Sequence, residues 1–283
     1  MIRLSHFCRP IRSANTLYHR VSLLLKSAER RIRDIRREKH DLCWCGGSLL
    51  SFNWHRSYGV CVNCGCYVNK HPPINLSKLY SRDFYWHYIQ KYHGYPSIES
   101  RAELYKKDGR LAYWLQIIRR YGTFQGTVIE VGCAPGILLK ELKIKGFRCI
   151  GVEPDRKTVN WIQKNMNVYV RTGLFPDVEL PNCDIFLAFD VLEHSSNPDG
   201  FMREVTRLLN PGGIAIIQTP VDRYGYNPPF GDQFNKAFLD YEHLFLFTNR
   251  AMTLLAERSG LKVISLDESW ALLHEINIFM KPC

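Results

Sequence analysis

The sequence predicts an α/β protein built on a doubly wound sheet, and three observations carry that expectation. The first is Thr127-Val-Ile-Glu-Val-Gly-Cys-Ala-Pro-Gly-Ile-Leu-Leu-Lys-Glu-Leu142, a short β-branched strand that runs through a glycine-bearing turn into an amphipathic helix. The second is the alternation of strand-like and helical stretches that follows, as far as Thr219. The third is Asp184 to Phe189, apolar nearly throughout, as a parallel strand covered on both faces must be.

The turn after the first strand is where a ligand is expected. Gly132 and Gly136 remove Cβ atoms where a ligand must lie against the backbone, and the helix start beyond them presents unpaired N–H groups. A dinucleotide fingerprint reads Gly-x-Gly-x-x-Gly, whereas this turn reads Gly132-x-Ala134-x-Gly136 with Ile137 next. Glu130, at the end of the strand, would repel a pyrophosphate and attract a cation. S-adenosylmethionine, with its ammonium and sulfonium, is such a ligand. Cys149-Ile-Gly-Val-Glu153 reads as a second strand ending in an acid, at the spacing expected for holding two ribose hydroxyls.

Four segments, Glu130-Val-Gly-Cys-Ala-Pro-Gly136, Gly151-Val-Glu-Pro-Asp155, Phe189-Asp-Val-Leu-Glu-His194 and Leu208-Leu-Asn-Pro-Gly-Gly213, carry a family resemblance by their order and spacing. Residues 127 to 267 resemble a class I S-adenosylmethionine-dependent methyltransferase of the type 11/23 group. The resemblance implies a Rossmann-like sheet whose cofactor contacts come from Glu130, Gly132, Cys133, Ala134, Gly136, Glu153, Pro154, Asp155, Gly173, Leu174, Asp190 and Val191. The family's usual glycine at 134 is alanine here, the smallest replacement, and binding is expected to survive it.

The composition bounds the rest. At 283 residues with 46% hydrophobic content and 13% aromatics, the chain has the material for one or two cored domains. No apolar run reaches the roughly 18 residues of a membrane span. Residues 1–40 hold eleven Lys or Arg and three Asp or Glu, so +8 of the net +11 sits in this arm and the remainder is nearly neutral. Ten cysteines without a secretory h-region or cleavage site are expected to be reduced, intracellular and partly metal-bound. The basic residues between Arg3 and Lys26, with no acid before Glu29, also fit a transit peptide.

In chain order, residues 1–40 read as a basic amphipathic arm, helical from about Thr16, with Leu17, Val21, Leu24, Leu25, Ala28, Ile32 and Ile35 at three- and four-residue steps. An anionic membrane surface, a protein partner, a nucleic acid, or simple packing on the body each suit such a helix, and the absence of interleaved aromatics counts against single-stranded RNA. Residues 41–72 read as a zinc-ribbon-like module. Cys43-Trp-Cys45-Gly and Cys61-Val-Asn-Cys64-Gly are two knuckles about fifteen residues apart, each with the glycine a tight turn needs. Cys43, Cys45, Cys61 and Cys64 are the expected ligands of a structural Zn2+, with Cys66, His40 and His55 in reserve. Such a module also precedes the methyltransferase body in relatives, sugar C-methyltransferases among them.

Residues 73–121 form an aromatic-rich lid and pre-core segment, with Tyr80, Phe84, Tyr85, Trp86, Tyr88, Tyr92 and Tyr95 followed by one helix over 99–121. Residues 122–283 are the cofactor-binding body. Strands are expected at 127–131, 148–153, 167–172, 184–189 and 214–219, helices at 135–146, 155–166, 198–209 and 248–260, and closing strands at 261–266 and 276–280. The Gly-, Pro- and aromatic-rich stretch 221–240 is long for a loop and is the expected specificity element.

Methyl transfer is a displacement in which the protein aligns the nucleophile and removes its proton. His194 is the first expected base, because an imidazole works near neutral pH without large tuning. The resemblance to sugar C-methyltransferases makes Tyr241-Glu242-His243 the second candidate group. The function expected is S-adenosylmethionine-dependent transfer to oxygen or carbon of a small-molecule or carbohydrate acceptor, in the cytoplasm or peripherally at a membrane. Two alternatives stand beside it: a nucleic-acid methyltransferase docking through the arm and ribbon, and a non-catalytic zinc-ribbon scaffold. The neutral body and the position of Asn227-Pro-Pro-Phe230 after the fifth strand weigh against the first, and the presence of both cofactor acids weighs against the second.

Overall fold

The computed structural model describes residues 39–51, 55–73, 79–80, 90, 96–222, 238–239, 241–271 and 274–283. The basic arm, most of the aromatic lid and the stretch 223–237 lie outside the described residues.

Three short strands come first: β1 (Leu49–Ser51), β2 (Tyr58–Cys61) and β3 (Tyr67–Asn69). Two helices follow, α1 (Ile98–Lys107) and α2 (Arg110–Tyr121). The single helix expected over 99–121 is divided because Gly109 takes φ +84°, a left-handed conformation that ends one helix and turns the chain into the next. Ser97 caps α1 reciprocally with Ser100.

The core then alternates as β4 (Thr127–Val131), α3 (Ile137–Ile144), β5 (Arg148–Glu153), α4 (Arg156–Met166), β6 (Tyr169–Thr172), β7 (Cys183–Phe189), α5 (Pro198–Leu208) and β8 (Leu209–Asp222). The chain ends with β9 (Phe245–Thr248), α6 (Asn249–Ser259), β10 (Lys262–Ala271) and β11 (His274–Met280). Strands β4 to β8 are mutually parallel in the order β6-β5-β4-β7-β8, and β11 then pairs antiparallel with both β8 and β10. The strand order reverses between β4 and β7, so the crevice at their C-terminal ends is the place where such sheets bind ligands. In β7, Ile185, Phe186, Leu187 and Ala188 are wholly buried, since helices cover both faces.

Strand β8 runs three residues beyond the expected Thr219 because a partner awaits it: Val221 and Asp222 pair with Phe247 and Thr248 of β9. β9 pairs in turn with β3, Tyr67 opposite Leu246, so the cysteine-bearing strands are continuous with the sheet. Thr248 caps α6, accepting from the Ala251 N–H at 3.1 Å, and its hydroxyl donates to the Cys64 carbonyl at 2.7 Å. Gly260 ends α6 at φ +72°. Among the described residues no helix is long and apolar enough to cross a membrane.

Candidate active site

A cavity of about 300 Å³ opens at the C-terminal ends of β4, β5 and β7. Of the expected cofactor residues, Gly132, Ala134, Glu153, Pro154, Gly173, Leu174, Asp190 and Val191 line it, and so does His194. Gly132 takes φ +67°, and a Cβ there would stand 2.6 Å from Val191 Cγ2. Ala134 lies outside the left-handed region, so its methyl group strains nothing and a glycine is not required. Gly136, at φ +81°, lies beneath the loop, where a Cβ would meet Ile162 Cγ2 at 2.5 Å; its freedom serves the packing of α3 on α4.

Glu153 is buried at the end of β5. Burial pushes its carboxyl up to about 7, against the backbone N–H of Asp155 and the Arg101 guanidinium, which act in the opposite direction. Asp155 itself does not line the cavity: its carboxylate accepts from the Thr158 N–H at 2.7 Å and caps α4. Glu130 and Cys133 lie behind the loop, on a small cavity of about 20 Å³ that Arg101, Gly132 and Ala134 also border. The Glu130 Oε2 atom is buried there without a hydrogen-bond partner, and burial holds the carboxyl well above the usual range. An uncompensated carboxylate oxygen against a glycine loop suits a cationic group.

Three residues that the sequence does not mark as site residues contribute across the fold: Arg101, Gln218 and Trp114. Arg101, from α1, lines both cavities and donates to Gln90 Oε1 at 2.8 Å. Asp190 is held at φ +57° after β7, and its Oδ1 accepts from Gln218 Nε2 at 2.9 Å. Gln218 in turn accepts from Trp114 Nε1 at 2.9 Å, so α2 and β8 jointly orient this carboxylate. Neither Trp114 nor Gln218 carries a local sequence signal for that role.

His194 ends the 3-10 turn Leu192–His194. Its Nδ1–H donates to the Glu242 carbonyl at 2.9 Å, and its ring meets those of His243 at 4.8 Å and Tyr80 at 5.8 Å. Its Nε2 lies 4.0 Å from Glu193 Oε1 and from Glu242 Oε1. The structure thus brings together His194, Glu242 and His243, two segments expected separately; Tyr241 is only half-buried and does not line the cavity.

The cysteine strands brace this cluster. Tyr58 Oη donates to the His243 carbonyl at 2.8 Å and Asn69 Nδ2 to the same oxygen at 3.2 Å. Phe238 packs edge-on against Tyr58 and Tyr67, and Leu244 N–H donates to the Glu193 carbonyl at 2.8 Å. The sulfurs of Cys43, Cys45, Cys61 and Cys64 converge, with contacts of 3.7 Å (43 to 64), 3.4 Å (45 to 61) and 3.6 Å (45 to 64). Four thiolates around zinc at about 2.3 Å define a tetrahedron with edges of about 3.8 Å, close to these separations. Gly46 and Gly65 follow the knuckles at φ +84° and +74°. Cys66 stands outside the four and donates to the Leu246 carbonyl at 3.1 Å. Hydrogen bonds from Cys43 and then Cys66 hold the Cys64 thiol far below its usual value, whereas the hydrogen bond with Cys64 pushes the Cys43 thiol up and burial raises Cys45 to about 11, so one sulfur of the four is set as a thiolate.

Similarity to known proteins bears on the fold and the family. Over 104 residues the chain is 31% identical to a probable S-adenosylmethionine-dependent methyltransferase of Mycolicibacterium smegmatis, spanning 36% of this chain and 40% of that protein. It is 25% identical over 105 residues to the ubiquinone biosynthesis O-methyltransferase of Caulobacter vibrioides, 34% of this chain and 42% of the relative. The match therefore spans less than half the length of these curated relatives. Among solved structures, S-adenosylmethionine-dependent methyltransferases of Thermotoga maritima (TM-score 0.50, 18% identity, 70% of this chain and 97% of that one) and Clostridium acetobutylicum (TM-score 0.50, 9% identity, 65% and 99%) share the fold. Residues 85–266, more than half of the chain, match the family described as a methyltransferase domain, and the chain belongs to that family, the S-adenosylmethionine-dependent class I methyltransferases.

Proposed function

We propose that this chain transfers a methyl group from S-adenosylmethionine to an oxygen or carbon of a small-molecule or carbohydrate acceptor, and that Cys43, Cys45, Cys61 and Cys64 hold a structural zinc ion. The observation that carries the reading is one cavity lined both by Gly132 and Glu153 and by His194, with His243 and Glu242 packed behind it. The residues suit the cofactor: the glycine turn leaves room at the backbone, Glu153 offers acceptors for hydroxyls, and the unpartnered Glu130 oxygen lies on the small cavity directly behind the glycine loop, where a cationic group would compensate it. When bound, the cofactor supplies a sulfonium-activated methyl group for in-line displacement. The chain's part is to hold the acceptor, exclude water and take up the acceptor's proton at the His194–Glu242–His243 cluster. Relatives named for O-methylation in ubiquinone biosynthesis support oxygen as the acceptor atom.

The cluster is tested by screening acceptors, sugars and phenols first, for S-adenosylhomocysteine release. His243→Ala is expected to lower kcat by about a hundredfold or more while cofactor affinity stays within a few fold, the usual scale for losing an acid–base group. Unchanged kcat would remove the cluster from the chemistry.

Glu153 makes affinity pH-dependent. Its folded pKa of about 7 lies above the ordinary 4.5, so between those values the folded chain keeps a proton that the unfolded chain has released. Stability of the unliganded protein therefore falls as pH rises across that window and levels above it. Ribose hydroxyls donate best to the ionised form, so S-adenosylhomocysteine affinity is expected to rise as pH rises through about 7. Calorimetric titrations at several pH values should show that rise in the wild type and its loss in Glu153→Gln.

A further inference from the structure

The Glu193 carboxylate is wholly buried and only one of its oxygens is satisfied. Oε2 accepts from Thr219 Oγ1 at 2.9 Å, whereas Oε1 has no hydrogen-bond partner and points towards His194 Nε2 at 4.0 Å. That separation is too long for a hydrogen bond and lies just inside the roughly 4.2 Å that two ligands, each at about 2.1 Å, can span across one ion. The imidazole is oriented for the task. Its Nδ1–H is spent on the Glu242 carbonyl, so in the neutral ring the lone pair sits on Nε2 and faces Glu193. An outer hydrogen bond of this kind fixes the tautomer of metal-bound histidines. A lone pair confronting a carboxylate oxygen is repulsive unless a proton or a metal cation stands between them, and 4.0 Å is too far for a shared proton. His243 completes the group: ligand atoms of Glu193, His194 and His243 lie within 4.8 Å of one another, Glu193 and His243 buried and His194 half-buried at the edge of the cavity.

We propose that Glu193, His194 and His243 bind a divalent cation that favours nitrogen and oxygen ligands, and that the acceptor is a molecule with adjacent oxygens, such as a vicinal diol, able to chelate it. Two imidazoles and one carboxylate leave coordination positions open, and His194 borders the cavity through which an acceptor would reach them. A hydroxyl bound to the cation becomes acidic enough to pass its proton to the nearby Glu242 carboxylate. The resulting oxyanion forms the new O–C bond as the C–S bond breaks, and the sulfonium leaves as a neutral thioether. The acceptor class rests on the methyl-transfer reading above; the cation site does not.

The test uses the whole protein with its cysteine metal in place and Mn2+ alone as probe, because Mn2+ prefers nitrogen and oxygen and does not displace zinc from thiolates. Free Mn2+ is followed by its electron paramagnetic resonance signal, and S-adenosylhomocysteine binding is measured calorimetrically on the same samples. One saturable Mn2+ per chain is expected, with 14N modulation from coordinated imidazole in the wild-type spin-echo spectrum. Glu193→Gln and His243→Gln are each expected to weaken Mn2+ at least tenfold while S-adenosylhomocysteine still binds, which also reports that they fold. Absence of saturable Mn2+ binding, or Mn2+ affinity undiminished from wild type in both variants, would overturn the site. Mn2+ binding without any S-adenosylhomocysteine binding would uphold the site and sink the methyl-transfer reading instead.

Discussion

Cys64→Ser, or extraction of zinc by a chelator, is expected to abolish methyl transfer although no cysteine of the cluster lines the cavity. The coupling runs through named contacts. The Cys64 carbonyl accepts from Thr248, the cap of α6; β3 pairs with β9; and Tyr58 and Asn69 hold the His243 carbonyl. A module with so few described apolar residues would draw its folding energy from the proposed zinc ion, whose loss would then free the segment that carries Glu242 and His243. Zinc content should fall from about one per chain to near zero, and kcat/KM by more than about a hundredfold, the scale of losing positioned acid–base groups. Cofactor affinity should change only a few fold, since β4, β5 and β7 shape that end of the cavity without the knuckles. Full activity in a zinc-free Cys64→Ser protein would show the strands to be independent of the chemistry.

The second large effect is expected at Gly132. Alanine there must adopt φ +67° and place its Cβ 2.6 Å from Val191 Cγ2, in a loop that borders the cofactor end of the cavity. The left-handed backbone alone costs about 1–2 kcal/mol, and relief of the contact moves the loop or Val191. S-adenosylhomocysteine affinity is expected to drop about ten- to a hundredfold, which is roughly 1.4–2.8 kcal/mol. Gly146→Ala is the control: φ is +95° but a Cβ there has nothing within 4 Å, so stability should suffer and affinity should not. Equal affinity losses in both variants would point to general destabilisation rather than to the loop.

Much of this site was legible in the sequence, and the reasons are local. Strands β4 and β5 start and stop where β-branched runs meet turn residues, so 127–131 and 148–153 were readable to the residue. Thr248 and Gly260 announced α6 by capping chemistry that acts within a few residues. The same logic identifies Asp155 as a cap, a role its position before a helix signals more directly than cofactor contact. What failed was non-local. Nothing near residue 219 shows that β8 continues to Asp222, because the cause is β9. The Trp114–Gln218–Asp190 chain, the orphaned Glu193 oxygen and the hold of Tyr58 on His243 join residues far apart in sequence. Besides the Asp155 cap, Gly109 is a local signal of this kind, a glycine inside an apparently continuous helical period.

The most direct measurement is calorimetric titration of the folded, zinc-loaded protein with S-adenosylhomocysteine, wild type beside Glu153→Ala. Saturable binding at one site in the wild type is expected, weakened in the variant by about 1.5–3 kcal/mol, the scale of a hydrogen bond to a charged group. No binding by the folded wild-type protein, or undiminished binding by Glu153→Ala, would contradict the assignment of this cavity to the methyl donor.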